Sequence, residues 1–87
     1  MKVGTVLNLT CVLLRSPEAP SYIYWFHNDD VINYSDRDGM TVITDEKTRT
    51  SRLTIASVSY KDTGNYTCDP ANAKPASVIV NVMVEGK

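Results

Sequence analysis

Histidine, phenylalanine and tryptophan each occur once in these 87 residues, cysteine twice, and glycine and proline four times each. The single histidine, His27, has no second base and no Cys or Glu cluster to work with. A lone histidine without such a cluster is a poor metal site, and it reads as a hydrogen-bonded strand-end residue. The few glycines form no phosphate-cradling loop, and no serine stands in a G-x-S-x-G turn. A surplus of one charge is missing too. Nine Lys+Arg against ten Asp+Glu leave a formal charge of −1, which offers no footprint for nucleic acid or an anionic membrane. The longest apolar run, residues 78–84, contains Asn81 and is far shorter than the roughly 20 residues a bilayer span needs. Residues 1–4 lead straight into a strand pattern rather than a secretory leader. Asp29 with Asp30, and Asp36 with Asp38, lack the spacing of a calcium-binding loop and read as solvated turns. The expectation is a protein that is not an enzyme, with no metal, cofactor, nucleic acid or small-molecule substrate.

What is present is period-two alternation. Leu7, Leu9, Cys11 and Leu13 share one face and Asn8, Thr10 and Val12 the other, which predicts a half-buried strand after a short edge piece at residues 2–4. Residues 16–20 form a Pro-punctuated loop. Residues 22–27 predict a strand with Ile23 and Trp25 inward and Tyr24 and Phe26 outward. A short strand over 31–34, turns at 28–30 and 35–39, and a strand over 40–44 follow. After a turn at 45–48 comes a strand with Leu53 and Ile55 inward. The last hairpin has its loop at 71–75 and a strand over 76–84, with Val78, Val80 and Val82 inward and Ile79 and Asn81 outward. No internal repeat or amphipathic helix appears.

The stretch D-T-G-N-Y-T-C, residues 62–68, orders these strands. A Tyr two residues before a Cys marks a corner where the tyrosine hydroxyl bonds back to the upstream chain and the Cys bridges two sheets. Gly64 suits a turn needing positive φ. Cys11 and Trp25 supply the partner Cys and the buried Trp that this arrangement demands. The sequence therefore predicts one domain over residues 1–87, an all-β, immunoglobulin-like Greek-key β-sandwich with a single inter-sheet disulfide between Cys11 and Cys68. Trp25, Tyr66 and Leu53 are its expected core, and Arg37 is expected to pair with Asp62. Only 28 positions separate Trp25 from Leu53, so the sandwich is I-set or C2-like, with at most one short extra strand. The bridge closes 57 positions, worth about 4 kcal/mol in the chain-entropy model, and implies an oxidising, extracellular setting. The expected origin is a larger extracellular protein, from which this piece lacks its first strand.

Three Asn-x-Ser/Thr sequons stand at Asn8, Asn33 and Asn65 as candidate N-glycosylation sites. A strand start restricts transferase access at Asn65. On the sheet of the Trp25 strand the outward residues are Tyr24, Phe26, Thr67, Ile79 and Asn81, with Tyr34 nearby. On the other sheet they are Asn8, Thr10, Arg52 and Thr54. One face thus reads as aromatic and the other as polar, and Tyr24, Phe26 and Ile79 are the candidate protein-binding residues.

Five segments also carry a resemblance: Y-I-Y-W-F-H-N (22–28), V-I-N-Y (31–34), V-I-T (42–44), Y-T-C-D-P-A-N-A (66–73) and A-S-V-I-V-N-V (76–82). Together they resemble the second immunoglobulin domain of the insect Dpr family, the defective proboscis extension response proteins. The D-P-A at 69–71 and the Pro-free turn at 36–38 depart from that family's pattern. The resemblance implies a neuronal cell-surface receptor with two tandem immunoglobulin domains. In that family the first domain recognises the Dpr-interacting proteins, which are immunoglobulin-superfamily surface proteins, and the second is membrane-proximal. The chain is then expected to be a monomeric spacer for synaptic partner matching. Two alternatives stand beside it: a direct adhesion module, and an intracellular structural I-set module in which a reduced Cys pair would be tolerated.

Overall fold

The computed structural model describes residues 1–13, 22–33, 37–45 and 47–83. The Pro-punctuated loop, Tyr34, the start of the 35–39 turn and the end of the last predicted strand lie outside those residues. Among the described residues seven strands are formed: β1 (Leu7–Val12), β2 (Ile23–His27), β3 (Asp30–Val31), β4 (Met40–Asp45), β5 (Thr50–Ile55), β6 (Gly64–Pro70) and β7 (Ala76–Val80). They make two antiparallel sheets, one ordered β1-β5-β4 and the other β3-β2-β6-β7. The protein is thus an all-β immunoglobulin-like sandwich, with its sheets joined by the Cys11–Cys68 disulfide across a Cα separation of 6.4 Å.

Period-two alternation drives the layering. Leu7, Leu53 and Ile55 from one sheet meet Ile23, Trp25, Tyr66 and Val80 from the other, all buried, while alternate residues face water. Burying each such side chain fully is worth about 1.5–3 kcal/mol. Val58 closes the base beneath a single 3₁₀ turn at Tyr60–Asp62, an element with no helical periodicity to announce it.

Two strand expectations need correcting. The strand predicted over 31–34 occupies only Asp30–Val31, because the Asn33 side chain takes over the bonding beyond it. The strand predicted from residue 76 onward ends at Val80, and Met83 instead forms a parallel bridge to Lys2. Val78, expected inward, is 46% exposed. The opposing sheet ends at β1, so the space in front of Val78 is a cleft of about 280 Å³ bordered by Leu9, Cys11 and Val78.

Candidate interaction face and the corner behind it

The outer face of the four-stranded sheet is built by alternation from Tyr24 and Phe26 of β2, Asn65, Thr67 and Asp69 of β6, and Ser77 and Ile79 of β7. The register sets Phe26 against Val31 and Thr67, Thr67 against Ser77, Tyr24 against Asp69, and Asn65 against Ile79. The Thr67 and Ser77 hydroxyls lie 2.8 Å apart, and the Tyr22 and Tyr24 rings stack with centroids 4.3 Å apart. The three sequence-predicted binding residues therefore share one face without forming one patch. Tyr24 and Phe26 are half-buried, Ile79 is 72% exposed, and Thr67 and Asn65 stand between the aromatics and Ile79.

The face predicted to be polar also carries an exposed aliphatic residue. Asn8, Thr10 and Arg52 are exposed on the three-stranded sheet as expected, but so is Ile43, at 67%. Alternation along β4 turns Val42 inward and leaves Ile43 opposite Arg52 on the solvent face.

The three sequons fall in different surroundings. Asn8 is exposed on β1, its Oδ1 accepting from Thr54 Oγ1 at 3.0 Å. Asn65 is exposed on β6. Asn33 is half-buried, and its carboxamide works as a piece of strand: Oδ1 accepts from the Trp25 amide at 2.5 Å, and Nδ2 donates to the Ile23 carbonyl at 2.9 Å.

Behind the face, the D-T-G-N-Y-T-C corner is a closed polar network. Arg37 donates to both carboxylate oxygens of Asp62, at 2.5 and 2.9 Å. The Ser59 amide adds a third donor at 2.7 Å, and Asp62 is only 1% exposed. Arg37's hydrogen bonds hold the Asp62 carboxyl below its ordinary range against the opposing effect of burial, and the Ser59 amide assists. The same hydrogen bond to Asp62 raises the Arg37 guanidinium. Tyr66 donates its hydroxyl to the Asp62 carbonyl at 2.6 Å; burial first, then the Asp62 charge, push its phenol up to about 12. The His27 ring stacks on Tyr66 at 4.6 Å, with Nε2 donating to the Thr63 carbonyl at 2.9 Å. Gly64, at φ +145°, has no room for a side chain: a Cβ would fall 2.7 Å from Asn28 Oδ1 and 2.8 Å from His27 Nε2.

Three residues that organise this region escape a sequence reading. Ser51 is fully buried; it accepts from the Trp25 indole N–H at 2.8 Å and lies 2.9 Å from Thr44 Oγ1. A serine flanked by Thr and Arg on a strand gives no hint of burial, although its inward parity with Leu53 could have raised it. Asn28 adopts φ +57° and caps β6 by accepting from the Asn65 amide at 3.0 Å; its place in an Asn-Asp-Asp turn was the available signal. Asn33 was read only as a sequon. Among the described residues there is no group of three or more His, Cys, Asp or Glu placed to hold a metal, and no helix long and apolar enough to cross a membrane. At the corner the charges and donors are spent on one another, so its arrangement is that of a clamp.

Comparison with known proteins agrees with this geometry. The immunoglobulin domain model matches residues 1–72. Mouse IgLON family member 5 is 36% identical over 75 residues, which is 86% of this chain and 21% of that protein. Chicken cell adhesion molecule DSCAML1 is 38% identical over 71 residues, 82% of this chain and 3% of that one. The matched part of this chain thus spans about a fifth of the length of the first of these relatives and 3% of the second. Among solved structures, Dpr2 Ig1-Ig2 in complex with DIP-Theta Ig1-Ig3 superposes with a TM-score of 0.80 at 31% identity, covering 97% of this chain and 44% of that one. The first Ig domain of the mouse polymeric immunoglobulin receptor shares the fold, with a TM-score of 0.75 at 18% identity over 99% of this chain and 92% of that one.

Proposed function

The chain belongs to the immunoglobulin domain family, and from that premise we propose that it is a non-catalytic extracellular domain of a cell-surface recognition or adhesion receptor. It acts there mainly as a spacer, holding a separate recognition domain away from the membrane. The whole receptor, of the neuronal Dpr kind, has immunoglobulin-superfamily surface proteins as partners, in keeping with the solved Dpr2 complex with DIP-Theta. The relatives that match over most of this chain, one of them a cell adhesion molecule by name, support the receptor class.

One observation carries the spacer reading. The face that would dock a partner lacks a continuous apolar patch, because Thr67 and Asn65 separate half-buried Phe26 from Ile79. An interface core is more apolar than its polar rim and centres on well-packed anchors. Ile79 alone does not make such a core. A second reading, direct adhesion through this face, rests on Ile79's 72% exposure and on the stacked Tyr22 and Tyr24.

Biolayer interferometry of the isolated domain and of the full receptor ectodomain against a panel of immunoglobulin-superfamily ectodomains separates the two readings. The spacer reading expects binding by the full ectodomain only, with the isolated domain monomeric. Equal affinity for both, abolished by Ile79→Asp, establishes the adhesion reading instead.

A further inference from the structure

The three sequons are identical to a transferase reading sequence, yet the folded chain treats them differently. We infer that Asn8 and Asn65 are N-glycosylation sites, and that Asn33 is a backbone bracket that the folded protein keeps free of sugar. In the transfer the carboxamide nitrogen attacks the anomeric carbon of a lipid-linked oligosaccharide. A C–N bond forms, the C–O bond to the lipid diphosphate breaks, the nitrogen gives up one proton and the lipid diphosphate leaves. The product is bulky and must lie at the surface.

Transfer acts on the chain before folding, so a strand start does not close Asn65 to the transferase as the sequence reading expected, and the fold decides which products it can house. Asn8 spends only its oxygen, on Thr54, and faces water from the outer side of β1. Asn65 faces water from β6. Asn33 has both carboxamide atoms engaged with β2: Oδ1 on the Trp25 amide and Nδ2 on the Ile23 carbonyl. β3 ends at Val31, so these two bonds satisfy main-chain groups of β2 that a longer partner strand would otherwise pair. A sugar on Nδ2 would replace one of its hydrogens and place a ring at a half-buried position beside the core tryptophan's strand.

The Asn65 site also accounts for the most exposed large aliphatic among the described residues. Ile79 lies directly across from Asn65 in the β6 and β7 register, 72% exposed on an edge strand. The uncharged sequence Ala76–Val80 gives that edge none of the usual protection by charge or proline. A glycan rooted at Asn65 stands over Ile79 and shields it, leaving the Tyr22 and Tyr24 end of the face open.

The inference rests on the extracellular reading above only for its natural setting. The test imposes that setting: the 87-residue chain is secreted from insect cells behind a cleavable leader, and the monomeric fraction is mapped by glycopeptide mass spectrometry. Sugar is expected at Asn8 and Asn65 and none at Asn33. Asn8→Gln and Asn65→Gln should each remove one glycan mass, whereas Ser35→Ala, which destroys the third sequon without touching Asn33, should change neither glycan mass nor melting temperature. Asn33→Gln should lower the melting temperature of enzymatically deglycosylated protein, and Asn8→Gln should leave it in place. A bare Asn65 or Asn8, or a secreted monomer with sugar on Asn33, overturns the inference and leaves the extracellular receptor reading intact.

Discussion

The corner around Asp62 and the cleft between β1 and β7 are assembled from the same two sheets, yet they are finished in opposite ways. At the corner, Asp62 collects two bonds from Arg37 and one from Ser59, Tyr66 bonds to its carbonyl, and His27 stacks over Tyr66. At the cleft, Leu9 and Cys11 are half-buried and Val78 is exposed. The difference teaches where stability is concentrated. A buried carboxylate is costly unless paired, so the corner must be complete to exist at all. Apolar side chains at an open edge forgo burial, but they leave no unpaired charge, and the fold tolerates them.

The largest test falls on the disulfide, which lines the cleft yet ties both regions together. Replacing Cys11 and Cys68 by Ser should remove about 4 kcal/mol, of the order of a small domain's whole net stability. Thermal melts by circular dichroism should find the variant largely unfolded at 37 °C. An unchanged melt would mean that the open side needs no tether and that the corner alone holds the sheets.

Asp62→Ala comes next, with an expected loss of about 3 kcal/mol, read from the urea midpoint. Because the folded Asp62 carboxyl is held low, its contribution is present above the ordinary carboxylate range and is lost as pH falls through the lowered folded value. The variant should lack that acid-side decline. Ser51→Ala strands the Trp25 indole N–H in the core and should cost about 2 kcal/mol in the same assay.

Tyr66→Phe is smaller at neutral pH, about 1 kcal/mol for one lost hydrogen bond, but it has a signature of its own. The phenol is raised from its ordinary 10 to about 12 on folding, so its contribution is whole below pH 10 and is lost as pH climbs through 12. The wild type should weaken across that window by about 2 kcal/mol more than the Phe variant. Val78→Thr, on the open side, should move stability by no more than about 0.5 kcal/mol. A loss as large as that of Ser51→Ala would erase the distinction between the two regions.

The corner was legible because its parts lie close in sequence or carry rare residue types. Tyr66 two positions before Cys68, Asp62 at the turn, Gly64 where no Cβ fits, and one Trp after an upstream Cys admit few other arrangements. The interaction face was only half legible. Alternation assigned Tyr24, Phe26 and Ile79 to one side of one sheet, but a period of two says nothing about which residues of a neighbouring strand stand between them. The exposure of Ile43 on the sheet read as polar follows from the same alternation once Val42 is set inward, opposite Leu53. Asn33 was recognised for its sequon, a local property, while its bracket on β2 depends on a turn that brings residue 33 beside residues 23 and 25.

By itself, then, the chain determined the sandwich class, the pairing of Cys11 with Cys68, the buried Trp25 and the corner, since each follows from local spacing and from the demand that a buried polar group be satisfied. Tertiary structure alone decided strand register, how long each sheet runs, and therefore which inward-facing residues find a partner across the core. Val80 finds one and is buried; Val78, two residues earlier on the same face of the same strand, looks into an open cleft. Burial needs a second surface, and whether one is present is a property of the assembled sheets.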